Sequence, residues 1–166
     1  LVFGTYNTEF TYEGLEVGTA GTWDRNTQQW QFLGMNPEVP EFFGSFYNTG
    51  YGITADGSTM VGMQWYADWS VKAFKWTQED GYEMIGASIP YNSRANGISA
   101  NGSVIYGWAE PNWIRTAVIW FNDEIIYIDE TQYGEASGSS ASGNYVTGGI
   151  GSDGFIWSPT EGITLF

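Results

Sequence analysis

Gly52-Ile53-Thr54-Ala55-Asp56-Gly57-Ser58-Thr59-Met60-Val61-Gly62 is the stretch that decides the fold, because the chain repeats it. Gly97-Ile98-Ser99-Ala100-Asn101-Gly102-Ser103-Val104-Ile105-Tyr106-Gly107 is a second copy, and Gly138-Ser139-Ser140-Ala141-Ser142-Gly143-Asn144-Tyr145-Val146-Thr147-Gly148 a third. Val2-Phe3-Gly4 matches the tail of a fourth. A repeat of this kind is one supersecondary unit that buries its apolar faces only by stacking on its neighbours. Within each copy, Asp56-Gly57, Asn101-Gly102 and Ser142-Gly143 mark a tight hairpin, where glycine supplies positive φ without steric cost.

Working outward, each unit reads as four strands. After the hairpin comes a second strand, Thr59–Met63, matched by Val104–Trp108 and Tyr145–Gly148. A third strand ends on tryptophan: Lys72-Ala73-Phe74-Lys75-Trp76, Thr116-Ala117-Val118-Ile119-Trp120, Asp153-Gly154-Phe155-Ile156-Trp157 and, at the start, Thr19-Ala20-Gly21-Thr22-Trp23. A short apolar fourth strand follows, as in Tyr82–Ile85, Ile125–Ile128, Gly162–Leu165 and Gln29–Leu33. The recurring tryptophans are spaced near the roughly 40–50 residues of a four-stranded propeller blade. No 3.6-residue periodicity competes with this reading. The expected fold is therefore all-β: about four four-stranded antiparallel blades in a propeller-like array, forming an incomplete ring or part of a larger propeller. The units span approximately 1–49 (partial, without its opening strand), 50–94, 95–134 and 135–166 of a single domain. Trp23, Trp76, Trp120 and Trp157 are expected in the core between blades, and the hairpin tips are expected to be scaffold.

Composition narrows the chemistry. The 166 residues carry 5 Lys+Arg against 19 Asp+Glu, a net charge of −14, which repels phosphate backbones and argues against nucleic acid as a partner. With no His and no Cys, a Ser-His-Asp triad, a cysteine nucleophile and His/Cys zinc sites are excluded. Only oxygen ligands remain, which leaves calcium or magnesium as metals, and no cofactor is otherwise expected. Calcium at clustered loop acids is the metal that such donors would suit, although no spaced loop motif appears. No apolar run is long enough for a membrane-spanning helix.

The units resemble the HAF-type extracellular repeat, whose pattern joins a Gly-Ile-Ser-x-Asp-Gly hairpin, a Val-Gly strand end and a His-Ala-Phe-x-Trp strand. Lys72-Ala73-Phe74-Lys75-Trp76 matches the last element with Lys72 in place of the His, and Thr116 and Asp153 stand there in the other copies. The resemblance runs from Gly50 onward and is weaker before it. It implies a propeller-like β fold in an extracellular or cell-surface setting, and it implies no catalytic residue.

In a propeller, the loops between second and third strands and between blades share one face. Here they hold Gln64–Trp69, Trp108–Trp113, Tyr6–Glu13, Asn36–Phe43 with Phe46-Tyr47, Tyr91-Asn92 and Asp129–Tyr133. Aromatic loops require an explanation, because connections are ordinarily polar. They either fold back over the blade rims or form a binding surface. The candidate ligand-binding residues are Trp65, Tyr66, Asp68, Trp69, Tyr91, Trp108, Glu110, Asn112, Trp113 and Tyr133, aromatic platforms interleaved with carboxylate and amide groups. Two binding readings follow. The first is a protein partner, or further repeats of the same protein; the second is a glycan stacked on the tryptophans. A third, glycoside hydrolysis, would need a carboxylate pair such as Glu38/Glu41 or Asp129/Glu130. Ser152–Trp157 superficially resembles the Asp-box of sialidase propellers but lacks a residue between Asp153 and Gly154, and it is expected at a strand start rather than in a hairpin. The expectation is a non-enzymatic module.

Overall fold

In the first sheet, β1 (Val2–Tyr12), β2 (Leu15–Asp24) and β3 (Gln29–Phe32) lie in that order. The second holds β4 (Asn48–Ile53), β5 (Thr59–Trp65), β6 (Val71–Thr77) and β7 (Gly81–Glu83). The third holds β8 (Ser93–Ile98), β9 (Ile105–Ala109), β10 (Thr116–Phe121) and β11 (Glu124–Tyr127). The fourth holds β12 (Gly134–Ser139), β13 (Val146–Ile150), β14 (Asp153–Ser158) and β15 (Gly162–Leu165). This computed structural model describes residues 2–12, 15–34, 36–37 and 48–166, with no helix among them. Every sheet is an antiparallel meander, and the opening strands β4, β8 and β12 are neighbours. The architecture is the propeller-like array read from the repeat.

The register is the same in every sheet. Trp23, Trp76, Trp120 and Trp157 stand opposite Val2, Met60, Ile105 and Val146. Glycines 4, 62, 107 and 148 stand opposite Gly21, Phe74, Val118 and Phe155. In the opening strand of each complete sheet one residue is bulged out of the ladder: Tyr51, Asn96 and Ser137. Near each bulge, a carbonyl presses on the glycine of the second strand. A Cβ on Gly62 would meet the Thr49 carbonyl oxygen at 1.9 Å, on Gly107 that of Arg94 at 2.0 Å, and on Gly148 that of Glu135 at 2.2 Å. The Val-Gly strand end of the repeat is thus a steric requirement of the bulge.

Apolar cores lie between consecutive sheets. One packs Val61 and Ala73 against Ile98, Ile105, Val118 and Trp120; the next packs Val104 and Ile119 against Val146, Phe155 and Trp157. Trp120 and Trp157 are buried in these cores as expected, and the Trp120 indole N–H donates to the Ile85 carbonyl at 3.1 Å. Trp76 is half-buried beside a smaller cluster of Ala20, Met60 and Phe74, and Trp23 tilts against Trp30 at 5.7 Å.

Residues 6–12 correct the sequence reading. They continue β1 instead of forming a loop, pairing again at Thr11–Glu16 and Tyr12–Leu15 after an irregularity. Threonine and aromatic residues at this spacing favour extended pairing over a loop. Glu38–Tyr47, with the Glu38/Glu41 pair, lie outside the described residues.

The hairpin tips share one hydrogen-bond scheme. The hydroxyls of Thr54, Ser99 and Ser140 each accept the N–H five residues on, from Thr59, Val104 and Tyr145, at 3.1 Å. Gly57, Gly102 and Gly143 adopt φ of 78°, 78° and 73°. Tips also join across sheets: the Ala55 N–H donates to the Ala100 carbonyl at 2.9 Å, and the Asn101 N–H to that of Ala141 at 3.2 Å. At the first tip, hydrogen bonds from the Thr54 hydroxyl and then from the Ser58 N–H and hydroxyl lower the Asp56 carboxyl from 3.8 to about 2. Its folded value lies below its unfolded one. The stabilisation it contributes is therefore present above about pH 3.8 and is lost as pH falls through about 2. Asn101 occupies the same place in the next sheet with the same acceptor bonds. Asp56→Asn should accordingly fold and show a shallower loss of melting temperature between pH 4 and pH 2 than the unaltered chain, as followed by circular dichroism. Identical pH profiles would contradict this role.

Candidate functional site

The β5–β6 and β9–β10 connections are built alike and are joined through Tyr91 and Asn92. Asp68 accepts the Ser70 N–H at 2.9 Å, and Asn112 accepts the Ile114 N–H at 3.2 Å. Between acceptor and donor in each loop stands a tryptophan in left-handed backbone, Trp69 at φ 65° and Trp113 at φ 73°. A bulky residue there is strained by about 1–2 kcal/mol. Both side chains point into solvent, 70% and 74% exposed. Hydrogen bonds from the Ser70 side chain, then its N–H, hold the Asp68 carboxyl below its ordinary range, with the Lys72 charge adding to this.

Around these two residues the other candidates pair off. Trp65, the last residue of β5, meets Trp69 edge-on at 6.5 Å, and the Tyr66 N–H donates to the Ser70 carbonyl at 2.9 Å. Tyr91 stacks on Trp113, ring centroids 3.6 Å apart. Asn92 binds the two loops together: its amide oxygen accepts the Val71 N–H at 3.0 Å and its amide nitrogen donates to Glu110 at 2.9 Å. Asn112 donates to the Glu130 carbonyl at 3.0 Å, reaching the connection that leads to Tyr133. Lys72, at the histidine position of the resembled repeat, donates to the carbonyls of Ile89 and Tyr91; Thr116 likewise donates to Asp129. In both sheets this position ties the connection that leaves the fourth strand to the third strand.

Trp108 is the exception among the candidates. It is not in a loop but inside β9, 4% exposed and opposite Arg94. The extra residue at the Asn96 bulge sets that pairing. Both Arg94 and Arg115 lie over its ring, their guanidinium carbons 5.5 and 3.9 Å from the centroid. Arg94 in turn pairs with Glu135 at 2.8 Å and covers the Tyr51 ring at 4.9 Å, while Arg115 Nη1 donates to the Tyr133 hydroxyl at 3.1 Å. Sequence reasoning missed Arg94, Arg115 and Tyr51. The available signal was the rarity of basic residues, two of the chain's five falling near one tryptophan.

Other sequence expectations fare differently. The Asp129 carboxylate is engaged by the Thr131 hydroxyl and N–H and by Gln132, bonds that keep it ionised and cap a turn. Asp153 opens β14 as expected, and the strand is entered from the two-residue hairpin Gly151-Ser152, across which Ile150 pairs with Asp153. The fourth sheet therefore has no long aromatic loop of the kind in the second and third. Among the described residues no group of three or more Asp and Glu is placed to hold a metal ion.

Packing separates rim from scaffold. Trp108→Ala should lose roughly 3–5 kcal/mol in urea unfolding, as a buried aromatic does. Trp69→Gly and Trp113→Gly relieve left-handed strain and should lose no more than about 1 kcal/mol. Equal losses at all three positions would contradict the division.

No protein-family model matches the chain, and no curated protein matches it. Solved structures do. TolB from Acinetobacter baumannii superposes with a TM-score of 0.63 at 11% identity, covering 97% of this chain and 39% of that one. A provisional TolB from Agrobacterium tumefaciens superposes with a TM-score of 0.63 at 13% identity, covering 97% of this chain and 58% of that one. The chain thus spans less than two thirds of either protein, and at these identities the likeness is one of fold: a propeller-like stack of antiparallel sheets.

Proposed function

We propose that the chain is a non-catalytic propeller module that works by protein–protein contact, engaging a partner or further repeats of its own kind, in an extracellular or cell-surface setting. The observation that carries this is the repeated placement of Trp69 and Trp113. Each is held in a strained backbone with most of its surface in water, and each stands at the same point of consecutive sheets. Neither the fold nor the core requires either feature. Exposed aromatics in fixed loops are what protein interfaces use as anchors. The neighbouring Asp68, Glu110 and Glu130 would favour a basic partner surface. The resemblance to the HAF-type extracellular repeat supports the setting.

The fourth sheet offers a second contact surface of the same kind. Tyr145 and Ile156 are 50% and 39% exposed, whereas their counterparts Val104 and Ile119, covered by the following sheet, are 1% and 0%. A further sheet packed there would continue the array. A glycan-binding reading draws on a different observation, the Tyr91–Trp113 stack flanked by Asn112 and Glu110, which offers a sugar a flat platform beside polar groups.

Sedimentation velocity over a range of concentrations distinguishes these readings. Association that is lost in Trp69→Ala and Trp113→Ala is the expected result. Association unaffected by those changes but lost in Tyr145→Lys with Ile156→Glu would move the contact to the sheet face. No self-association, together with a tryptophan fluorescence shift on adding oligosaccharides, would replace the proposal with glycan binding.

A further inference from the structure

We propose that Arg115, with Trp108 and Tyr133, forms a binding site for a carboxylate group. The stack to which it belongs alternates ring and cation from the second sheet through the third to the connection before β12: Tyr51, Arg94, Trp108, Arg115, Tyr133. The two cations differ in how their charge is used. Arg94 is committed, its Nη2 bonded to Glu135 at 2.8 Å and its Nε to Asn96 at 2.6 Å. Glu135 also accepts from Asn96 at 2.7 Å. Arg115 forms no salt bridge among the described residues, and its one side-chain hydrogen bond there is Nη1 to Tyr133.

Two buried donors in this stack have no acceptor among the described residues: Arg115 Nε and Trp108 Nε1. They belong to adjacent members, the guanidinium carbon lying 3.9 Å from the ring centroid. Folded proteins seldom leave such groups unpaired. An uncommitted guanidinium beside an unpaired indole N–H calls for an anionic oxygen acceptor. A carboxylate fits better than a phosphate. It carries a single negative charge, matches the guanidinium fork in geometry, and meets less repulsion from a chain of net charge −14. Tyr133, 61% exposed, stands beside Arg115 at the rim and forms the outer wall of the site. Gly134 N–H donates to the Arg115 carbonyl at 2.9 Å, which fixes the arginine backbone to the start of β12. The carboxylate could belong to a small organic acid or to a peptide terminus. The site does not depend on Trp69 and Trp113 binding a protein.

The test is a titration of the folded chain followed by the indole N–H signals in two-dimensional nitrogen–proton NMR, with the Trp108 signal assigned through its contacts to Arg94 and Arg115. Sodium acetate should shift that signal saturably, and sodium chloride at equal ionic strength should not. Arg115→Gln should weaken acetate binding by roughly tenfold or more, and Arg115→Lys, which keeps the charge but not the fork, by less. Should Arg115→Gln fail to fold, the acetate–chloride comparison on the unaltered chain decides alone. Tetraglycine with a free C-terminus, compared with its amide, identifies the source. Tighter binding of the free peptide than of acetate points to a peptide terminus, and equal binding to a small acid. A Trp108 signal that ignores acetate, that moves equally with chloride, or that responds unchanged in Arg115→Gln would overturn the proposal, as would equal binding of the amide.

Discussion

A carbonyl pressed against a glycine is the contact on which the rest of this structure depends. In the second, third and fourth sheets the opening strand bulges by one residue, at Tyr51, Asn96 and Ser137. The carbonyl beside the bulge then occupies the space a side chain on the second strand would need. The bulge bends the opening strand and increases its twist, which lets consecutive opening strands approach closely. At the closest point Gly52 and Gly97 face each other so tightly that a Cβ on Gly52 would lie 2.7 Å from the Gly97 Cα. Larger residues at these glycines would separate the sheets and open the cores formed by Val61, Ile98, Ile105 and Val118 on one side and by Val104, Ile119 and Phe155 on the other.

The same device sets what the rim can present. By shifting register once per sheet, it places Arg94 directly across from Trp108 and aims Arg94 toward Glu135 of the next sheet. The strands then end at one level, where short connections hold Trp69 and Trp113 in equivalent positions. The scaffold is repetitive; what varies lies in the loops, in the charged residues of the opening strands and at single positions of the later strands. Lys72 and Thr116 illustrate this, since unlike side chains perform the same structural task of bonding to carbonyls of the connection that leaves their sheet.

Much of this was legible in the sequence. The four units, the glycine at each hairpin tip and the strand-ending tryptophans are local features, and Gly57, Gly102 and Trp120 behave as their neighbours dictate. That Trp69 and Trp113 stand in connections was legible too, because loop position follows from strand order. Trp108 was misread because its environment is set across strands. Trp108 was expected at the end of the second strand and again at the start of the loop; β9 runs one residue further, to Ala109, which buries it, and the one-residue bulge at Asn96 chooses its partner. Residues 6–12 were misread because the loop position inferred from strand order was set above the local preference of their threonine and aromatic residues for extended pairing, which resumes only after an irregularity. The cation stack was invisible until five residues from three strands and two connections were placed together.

The most direct test of the account is the urea unfolding free energy of Gly107→Ala set against that of Gly81→Ala. A Cβ at Gly107 would meet the Arg94 carbonyl at 2.0 Å, while at Gly81, with φ of 74°, nothing lies within 4 Å. The account predicts a loss of about 3 kcal/mol or more at Gly107, the upper range of forced overpacking, against about 1–2 kcal/mol at Gly81 from left-handed backbone alone. A Gly107→Ala variant as stable as Gly81→Ala would contradict the claim that the bulge-and-glycine contact holds the sheets together.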